Sequence, residues 1–264
     1  MEIRGKAALV TGAARGIGAA TVIELAKGGC SVAVNYRSSK KKAEETVSMA
    51  KSLGVDAFSI QADVGKDSDC RYLLKAIKDR FGRLDVLVNN AGTTEFIPHS
   101  DFESVTDATW DRIMGINLKG PFMCVRAARD LMEKSGSGEI VNVASIAGIG
   151  GTGSSIPYAA SKAALMTLTV SLARVLGPCI RVNAVAPGFI NGEWAKEGMG
   201  DRFESFIEEK AKAAPLQKVC IPEEVAGVIV SIITGPEVVT GQTIICDCGV
   251  TIGTDYSHSG IRRI

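Results

Sequence analysis

Short apolar runs alternate with longer amphipathic segments along almost the whole chain. Seven runs of five to eight residues lack the polar alternation of a strand with one wet face, which predicts strands buried on both faces of a parallel sheet. These runs are "AALVT" at 7–11, "SVAVNY" at 31–36, "AFSIQ" at 57–61, "LDVLVNN" at 84–90, "EIVNVAS" at 139–145, "IRVNAVAP" at 180–187 and "TIICD" at 243–247. The segments between them predict helices at about 16–28, 39–53, 67–81, 107–134, 155–176 and 222–234. Regular alternation of strand and helix predicts one α/β domain over residues 1–264, a doubly wound sheet between two helical layers.

The longest interruption of this pattern is residues 188–221, between the sixth strand and the last helix. A connection longer than ~15 residues inside a compact domain usually has a function. This one carries Trp194, Met199, Phe203 and Phe206 among charged residues. Two interpretations stay open: a lid at about 189–215 that closes its apolar face on a substrate, or plain packing of that face onto the domain.

Composition narrows the class of protein. Lys plus Arg number 30 against 29 for Asp plus Glu, so no global field attracts nucleic acid or an anionic membrane. The first residues resemble no secretory leader, and no apolar run is expected to reach the ~18 residues of a membrane span. A soluble protein in the cytoplasm, without a membrane or nucleic-acid partner, is the prediction.

Cysteine and histidine usage argues against disulfides and metals. The seven cysteines are an odd number spread along the chain, which favours reduced thiols. Cys246 and Cys248 would point to the same face of a strand and form a buried thiol pair. His99 and His258, the two histidines, are both expected to be solvated, so no metal site is predicted.

A glycine-rich turn follows the first predicted strand in "ALVTGAARGIGAATVIELA". Gly12, Gly16 and Gly18 stand in the order T-G-x-x-x-G-x-G, and Ile17 lies between the last two. Glycine permits a tight turn, and the N-terminus of the next helix offers N–H groups and a positive dipole end to a pyrophosphate. The pattern predicts a Rossmann-type dinucleotide site, with a purely structural turn as the alternative.

The end of the second strand bears on which dinucleotide binds. An acidic residue here usually holds the adenosine ribose 2′-hydroxyl, but "VNYRSS" has none. Asn35, Arg37 and Ser38 are instead expected around a 2′-phosphate, with Arg15 of the glycine turn as a second cation. The interpretation is NADP(H) rather than NAD(H), and the alternative is two solvated arginines.

Tyr158 and Lys162 lie one turn apart near the start of a helix that is mostly Ala, Leu and Val. Spacing of four puts both side chains on one helical face. Such a pair also occurs by accident in amphipathic helices, so its meaning depends on what else lies nearby.

Several short motifs in order along the chain resemble the short-chain dehydrogenases and reductases. They are "TGAARGIG" at 11–18, "NNAG" at 89–92, Asn117 in "INLKG", Ser145 in "VNVASIAG", "YAASK" at 158–162 and "APG" at 186–188. The resemblance covers residues 3 to about 250 and is closest to reductases of 3-oxoacyl groups on acyl carrier protein. "CDCGV" departs from the family's Gly-Gly pair, and Asn191 stands where the family often has Thr.

The resemblance implies four catalytic residues. Tyr158 would protonate a carbonyl oxygen, and Lys162 would lower the pKa of that phenol from ~10 and bind the nicotinamide ribose. Ser145 would donate a hydrogen bond to the same oxygen, and Asn117 would hold a water linked to Lys162. The alternatives are a turn cap for Ser145, a helix end for Asn117 and a core ring for Tyr158.

The resemblance also implies further cofactor contacts at the ends of the strands. These residues are Asp63 and Val64 at the adenine, Asn89, Ala91 and Gly92 at the switch in strand order, Pro187 and Gly188 beside the nicotinamide, and Ile190 at its carboxamide. Asp85 is interpreted as structural.

Three functions remain open. The first is an NADPH-dependent reductase of a ketone in a small-molecule or carrier-linked substrate, a 3-oxoacyl thioester before others. The second is a dehydrogenase of a sugar or another secondary alcohol, and the third a dinucleotide-binding sensor or scaffold without turnover. The resemblance implies a homotetramer, for which the small residues of the helix at 155–176 would permit close packing against a partner.

Overall fold

One seven-stranded parallel sheet forms the middle layer of the protein. The structure is a computed structural model that describes residues 1–253, apart from the side chain of Trp194, so His258 lies outside the described residues. The strands are β1 (Ala7–Val10), β2 (Ser31–Tyr36), β3 (Ala57–Gln61), β4 (Val86–Asn89), β5 (Gly138–Val143), β6 (Ile180–Pro187) and β7 (Thr243–Cys246). Their order is β3-β2-β1-β4-β5-β6-β7, and every neighbouring pair is parallel. The predicted fold class is confirmed.

Helices follow the strands in the predicted alternation. They are α1 (Gly16–Lys27), α2 (Lys40–Ser52), α3 (Asp67–Phe81), α4 (Asp107–Met114), α5 (Gly120–Lys134), α6 (Ala147–Gly150), α7 (Ile156–Leu176), α8 (Glu193–Met199), α9 (Phe203–Ala213) and α10 (Pro222–Thr234). A π-helical turn, Gly115–Lys119, joins α4 to α5, so the segment expected as one helix is two. The connection at 188–221 carries α8 and α9, which the sequence pattern did not predict.

Alternate side chains of the central strands enter different cores. In β1, Ala8 and Val10 belong to the core shared with α1, α2 and α10, whereas Leu9 belongs to the core shared with α3, α5 and α7. All three side chains have no exposed surface. This two-sided burial is why the strands read as continuous apolar runs.

The order of the strands creates a crevice at the carboxyl edge of the sheet. β1 lies between β2 and β4, so the chain leaves β1 toward one side of the sheet and, after β3, crosses to the other. Connections that diverge in this way leave a gap outside the carboxyl ends of the strands, which is where open sheets bind ligands. The ends of β1 and β4 therefore define the candidate site.

Helix α7 corrects one expectation from the sequence. Its 21 residues are long and apolar enough, by length and composition, to cross a membrane. Leu165, Leu172 and Leu176 of this helix are instead buried against the sheet and its neighbouring helices. The apolar composition of α7 thus serves a core helix of this domain.

Candidate active site

The first two turns of α7 present Tyr158 and Lys162 toward the end of β5. Ser155 caps the helix by accepting a hydrogen bond from the Tyr158 backbone N–H at 3.4 Å. Lys162 is 4% exposed, donates from Nζ to the Val143 carbonyl at 2.7 Å, and holds Nζ 5.7 Å from the centre of the Tyr158 ring. The pair predicted from spacing alone therefore meets in space.

Ser145 brings a hydroxyl to the same place from the loop after β5. Its side chain is close enough to the Tyr158 phenol to lower the pKa of that phenol. Its Oγ also accepts from the Ala147 backbone N–H at 3.1 Å, which fixes the serine at the start of α6. Serine, tyrosine and lysine thus converge from two elements, as a site that handles a carbonyl oxygen requires.

The pKa of Tyr158 departs from the expectation. Burial raises it above its ordinary value of 10.0, and the nearby side chain of Ser145 lowers it by less. Burial also lowers the pKa of Lys162 from 10.5 to about 8. The anticipated net lowering of the phenol pKa is therefore wrong for this structure, because loss of solvent disfavours the charged form of the phenol. Near neutral pH the phenol holds its proton and is ready to act as an acid.

Asn117 fastens the loop after β4 to α7. Its Oδ1 accepts from the Thr93 backbone N–H at 2.8 Å, and its Nδ2 donates to the Thr93 carbonyl at 2.9 Å and to Ser161 Oγ at 3.0 Å. A carbon added at Gly92 would lie 3.5 Å from Asn117 Oδ1 and 3.7 Å from Lys162 Nζ. Only the amide oxygen, which has a second lone pair, is left to meet a water beside Lys162.

The glycine turn needs its glycines for two different reasons. Gly12 and Gly16 have φ of +61° and +58°, a region that L side chains rarely adopt. A carbon on Gly18 would instead stand 2.7 Å from the Gly12 carbonyl oxygen and 2.9 Å from Ala13 Cα. The first requirement is conformational and the second is close packing of α1 against the turn, and Ile17 is carried on α1 between these positions.

The turn offers a cradle that fits a pyrophosphate. A carbon added at Gly16 would meet no atom within 4 Å, so the turn is open on that side. Arg15 is the N-cap of α1 and makes no side-chain cap hydrogen bond, and the first turn holds no acidic residue. Uncapped N–H groups at a helix N-terminus bind anions, so these residues fit the diphosphate of a dinucleotide.

Residues that the sequence missed hold this turn in place. Asn90 donates from Nδ2 to the carbonyls of Thr11 and Gly12 at 2.9 and 3.0 Å, and Thr11 Oγ1 accepts from the backbone N–H groups of Asn90 and Ala91 at 3.0 Å. These bonds tie the end of β1 to the end of β4. The motif "NNAG" contains Asn90, but its spacing alone does not say which asparagine does this.

The residues expected around a 2′-phosphate do not all face the crevice. Asn35 is 2% exposed, accepts from the Gly12 backbone N–H at 3.2 Å and donates to the Ala62 carbonyl at 3.0 Å. Its side chain therefore supports the glycine turn from inside. The expectation that Asn35 meets the 2′-phosphate is wrong, because its side chain is buried. Arg37 and Ser38 are exposed directly after β2.

Asn89 also turns inward. Its Nδ2 donates to Asn142 Oδ1 at 2.9 Å, Asn142 donates to Thr169 Oγ1 at 2.9 Å, and the Asn89 side chain has almost no exposed surface. This chain of polar groups lies between the sheet and α7. Asn89 thus offers the crevice its backbone, whereas Ala91 and Gly92 are partly or fully exposed at its edge.

The remaining predicted positions lie at strand ends as expected. Asp63 and Val64 follow β3, and Asp63 Oδ1 accepts from the Gly65 backbone N–H at 2.9 Å. Gly188 follows Pro187 at the end of β6, where an added carbon would stand 2.8 Å from Asp247 Cβ. Ile190 forms an isolated bridge with Cys220, and so the wall beside the crevice is tied to the loop before α10.

Three further expectations can be compared with the structure. Asp85 is structural, since it accepts from the Ala7 backbone N–H at 2.9 Å and pairs with Arg83 at 2.7 Å. Cys248 lies beyond β7, and its thiol faces Cys220 Sγ at 3.3 Å rather than sharing a strand face with Cys246.

His99 is not simply solvated, because its Nε2 is buried and has no hydrogen-bond partner. Among residues 1–253, no group of three His, Cys, Asp or Glu side chains is placed to hold a metal ion.

The long connection packs onto the domain through aromatic contacts. The rings of Phe203 and Phe206 lie 6.2 and 4.8 Å from the ring of Phe189, and Phe203 is 4% exposed. An added carbon at Gly198 of α8 would overlap the ring of Phe96, in the loop after β4. Part of the apolar face of the connection at 188–221 therefore packs onto the domain. Helix α8 also contacts the loop after β4.

Fold and site together define a class: a Rossmann-type domain whose nucleotide crevice is flanked by serine, tyrosine and lysine. Residues 12–251 match a family model described as enoyl-(acyl carrier protein) reductase.

The 3-oxoacyl-(acyl-carrier-protein) reductase FabG of Staphylococcus aureus is 39% identical over 241 residues, which cover 90% of this chain and 95% of that protein. A protein of the same name, without the suffix, from Synechocystis sp. is 37% identical over 255 residues, covering 95% of this chain and 98% of the relative.

A solved structure has the same fold as this chain. NAD⁺-bound xylitol dehydrogenase superposes with a TM-score of 0.85 at 28% identity, covering 94% of this chain and all of the other. The chain therefore belongs to the short-chain dehydrogenase/reductase family, whose members are oxidoreductases that act on carbonyl or alcohol groups and bind a nicotinamide dinucleotide.

Proposed function

We propose that this chain is an NADPH-dependent ketone reductase whose substrate is a 3-oxoacyl thioester, carried on acyl carrier protein or on a smaller thiol. The observation that carries the proposal is the convergence of Ser145, Tyr158 and Lys162 beside the crevice at the ends of β1 and β4. Relatives 37 and 39% identical are named for this reaction.

The bound nicotinamide would supply the hydride that reduces the carbonyl carbon. Ser145 donates a hydrogen bond to the carbonyl oxygen and stabilises the charge that develops there. Tyr158, protonated near neutral pH because burial raises its pKa, transfers its phenolic proton to that oxygen. Lys162 remains largely charged at pH 7, since its pKa is about 8, and stabilises the phenolate left behind.

The proton lost by Tyr158 needs a route back. Lys162 Nζ and Asn117 Oδ1 flank Gly92 from the same side, 3.7 and 3.5 Å from the position of an added carbon. A water held by Asn117 between them would return a proton through the lysine. In the oxidative direction the same groups run in reverse, so the site by itself does not set the direction.

The cofactor assignment rests on charge. The end of β2 has no acid to hold a ribose 2′-hydroxyl, and Arg37 and Ser38 lie there exposed. Arg15 supplies a second cation from the glycine turn, which is open at Gly16. Arginine binds phosphate through several N–H donors at once, which favours NADP(H) over NAD(H).

A second function, a dehydrogenase of a sugar or another secondary alcohol, is supported by the superposition on xylitol dehydrogenase with a TM-score of 0.85. The two functions are separated by following NADPH and NADH absorbance with acetoacetyl thioesters, quinones and sugars in turn, and NADP⁺ and NAD⁺ with polyols. Rapid NADPH oxidation with acetoacetyl thioester is the expected result. Turnover only with polyols and NAD⁺ would overturn the proposal in favour of the dehydrogenase.

Location and assembly complete the proposal. We propose that the enzyme acts in the cytoplasm and, as the family resemblance implied, as a homotetramer. Its partner is the small or carrier-linked carbonyl substrate.

A further inference from the structure

The lid helix α8 reaches across the crevice to the residue expected at the 2′-phosphate. Glu197 of α8 accepts from Arg15 Nη1 with both carboxylate oxygens at 2.7 Å. The two residues are 182 positions apart in the chain. Arg15 is also the N-cap of α1, so the contact joins the lid directly to the glycine turn.

A second ion pair runs parallel to the first. Glu193, one turn before Glu197 on α8, accepts from Lys42 Nζ at 2.5 Å. Lys42 lies in the first turn of α2, which begins directly after the exposed Arg37–Ser39 segment. Residues four apart share a helix face, so one acidic face of α8 lies against cations from two elements at the adenosine end of the crevice.

The residue after Glu197 on α8 contacts the loop after β4. Gly198 lies against the ring of Phe96, where a side chain would overlap the ring atoms. Helix α8 is therefore attached at Arg15, Lys42 and Phe96. Its position over the crevice depends in part on which anion Arg15 contacts.

We infer that Glu197 is a specificity-determining residue that competes with the cofactor 2′-phosphate for Arg15. The inference rests on the proposed use of NADPH. Two anions on one guanidinium repel each other, so a 2′-phosphate displaces the Glu197 carboxylate and releases that end of α8. NADH has no 2′-phosphate, so the contact between Glu197 and Arg15 weakens the binding of NADPH and not that of NADH.

The size of the effect follows from exposure. The side chains of Arg15 and Glu197 are 34 and 58% exposed, and exposed ion pairs contribute little because solvent and salt screen them. Removing the carboxylate also removes its repulsion of the phosphate. We expect Glu197→Gln to tighten NADPH binding by about two- to fivefold at low ionic strength, and by less at high salt.

The test is calorimetric titration of the full chain with NADPH, NADH and 2′,5′-ADP, a probe with the 2′-phosphate but no nicotinamide. Glu197→Gln should lower the Kd of NADPH and of 2′,5′-ADP and leave that of NADH unchanged. Glu208→Gln is the matched control, since Glu208 pairs with Lys212 within α9, and it should change none of them. In an Arg15→Ala background, Glu197→Gln should have a smaller effect on NADPH, because the competition for Arg15 is then gone and only the repulsion between the two anions is left.

The outcomes separate this inference from the proposed function. If the unaltered protein prefers NADPH but Glu197→Gln leaves its Kd unchanged, weakens it, or shifts NADPH and NADH equally, the inference is overturned and the cofactor assignment stands. If both the unaltered protein and Glu197→Gln bind NADH and fail to bind 2′,5′-ADP, the NADPH assignment itself falls, and the inference with it.

Discussion

A buried lysine beside a partly buried tyrosine is the centre of the proposed chemistry at the residue scale. Lys162 is 4% exposed, and its main polar contact is the Val143 carbonyl at 2.7 Å. Holding the charge there is unfavourable, which is why its pKa falls to about 8. The same loss of solvent keeps Tyr158 protonated, so one physical cause sets both groups for proton donation.

The pH dependence of stability tests the environment of Lys162. Its folded pKa of about 8 lies below the ordinary 10.5, so between these values the unfolded chain binds more protons and the free energy of unfolding rises with pH. Relative to Lys162→Met, the unaltered protein should gain about 3 kcal/mol or less from pH 8 to pH 10.5. Urea unfolding across this range measures the difference, and a flat difference would contradict the burial argument. Lys75→Met, on the exposed face of α3, should show no such rise.

Removing the Tyr158 hydroxyl tests the proposed acid. Tyr158→Phe keeps the ring and loses the proton donor, so kcat should fall by about 10²- to 10⁴-fold. The Kd of NADPH should stay within about twofold, because the change removes no cation and no glycine-turn contact. Turnover assays and calorimetry measure the two quantities. Tyr72→Phe, whose side chain is exposed on α3, is the matched control, and a fully active Tyr158→Phe would disprove the mechanism.

At the element scale, the end of β7 shows how a departure from the family pattern is accommodated. Cys248 and Gly249 have φ of +57° and +87°, so both positions of the usual Gly-Gly pair adopt the left-handed conformation. Asp247 stabilises this turn by accepting from the backbone N–H groups of Gly249 and Thr251 at 2.8 Å. The cysteine is held there at a conformational cost, with its thiol against Cys220.

Paired substitutions at Cys248 measure that cost. Cys248→Ala removes the thiol and keeps Cβ, whereas Cys248→Gly removes both and relieves a strain of about 1 kcal/mol. We expect the glycine variant to unfold with the higher free energy, by about 1 kcal/mol. At Cys220, which is not at positive φ, the order should reverse. Denaturant unfolding under reducing conditions gives all four values, and an alanine variant more stable than glycine at 248 would contradict the argument.

At the scale of the whole molecule, one of the small residues of α7, Ala163, already packs closely within the same chain. An added carbon at Gly148 of α6 would stand 2.5 Å from the Ala163 backbone nitrogen, so α6 makes the close approach there. The edge strand β7 instead leaves Ile244 and Ile245 38 and 46% exposed. An apolar edge of this kind favours association with another chain.

Sedimentation velocity tests the assembly at low micromolar concentration. A particle of four chains is expected, with burial of the β7 edge as one source of its stability. Ile245→Lys should shift the distribution toward smaller species, because a charge at a buried apolar contact is unfavourable. Lys75→Met, remote from this edge, should not. A single-chain species across the whole concentration range would exclude the homotetramer.

Much of the architecture could be predicted because periodicity is a local property. The seven strands were predicted because burial on both faces leaves an apolar run, and the spacing of Tyr158 and Lys162 determines that they share a helix face. The helices α6 and α8 were missed because their four and seven residues are too few for a repeated apolar period. Helix α9 has 11 residues and lies in the segment that was interpreted as a lid or a packed connection. The apolar length of α7 was also misjudged, since composition alone does not distinguish a core helix from a span.

The sequence by itself determined the fold, the order of its strands and the spacing of Tyr158 and Lys162, which are proposed to move a proton. Only the tertiary structure decided that Asn35 turns inward, that burial raises rather than lowers the pKa of Tyr158, and that Glu197 contacts Arg15 from 182 positions away. The reason is physical. The periodicity of apolar residues depends on residues that are neighbours in the chain, whereas solvent exclusion and ion pairing depend on which distant segments the fold brings together.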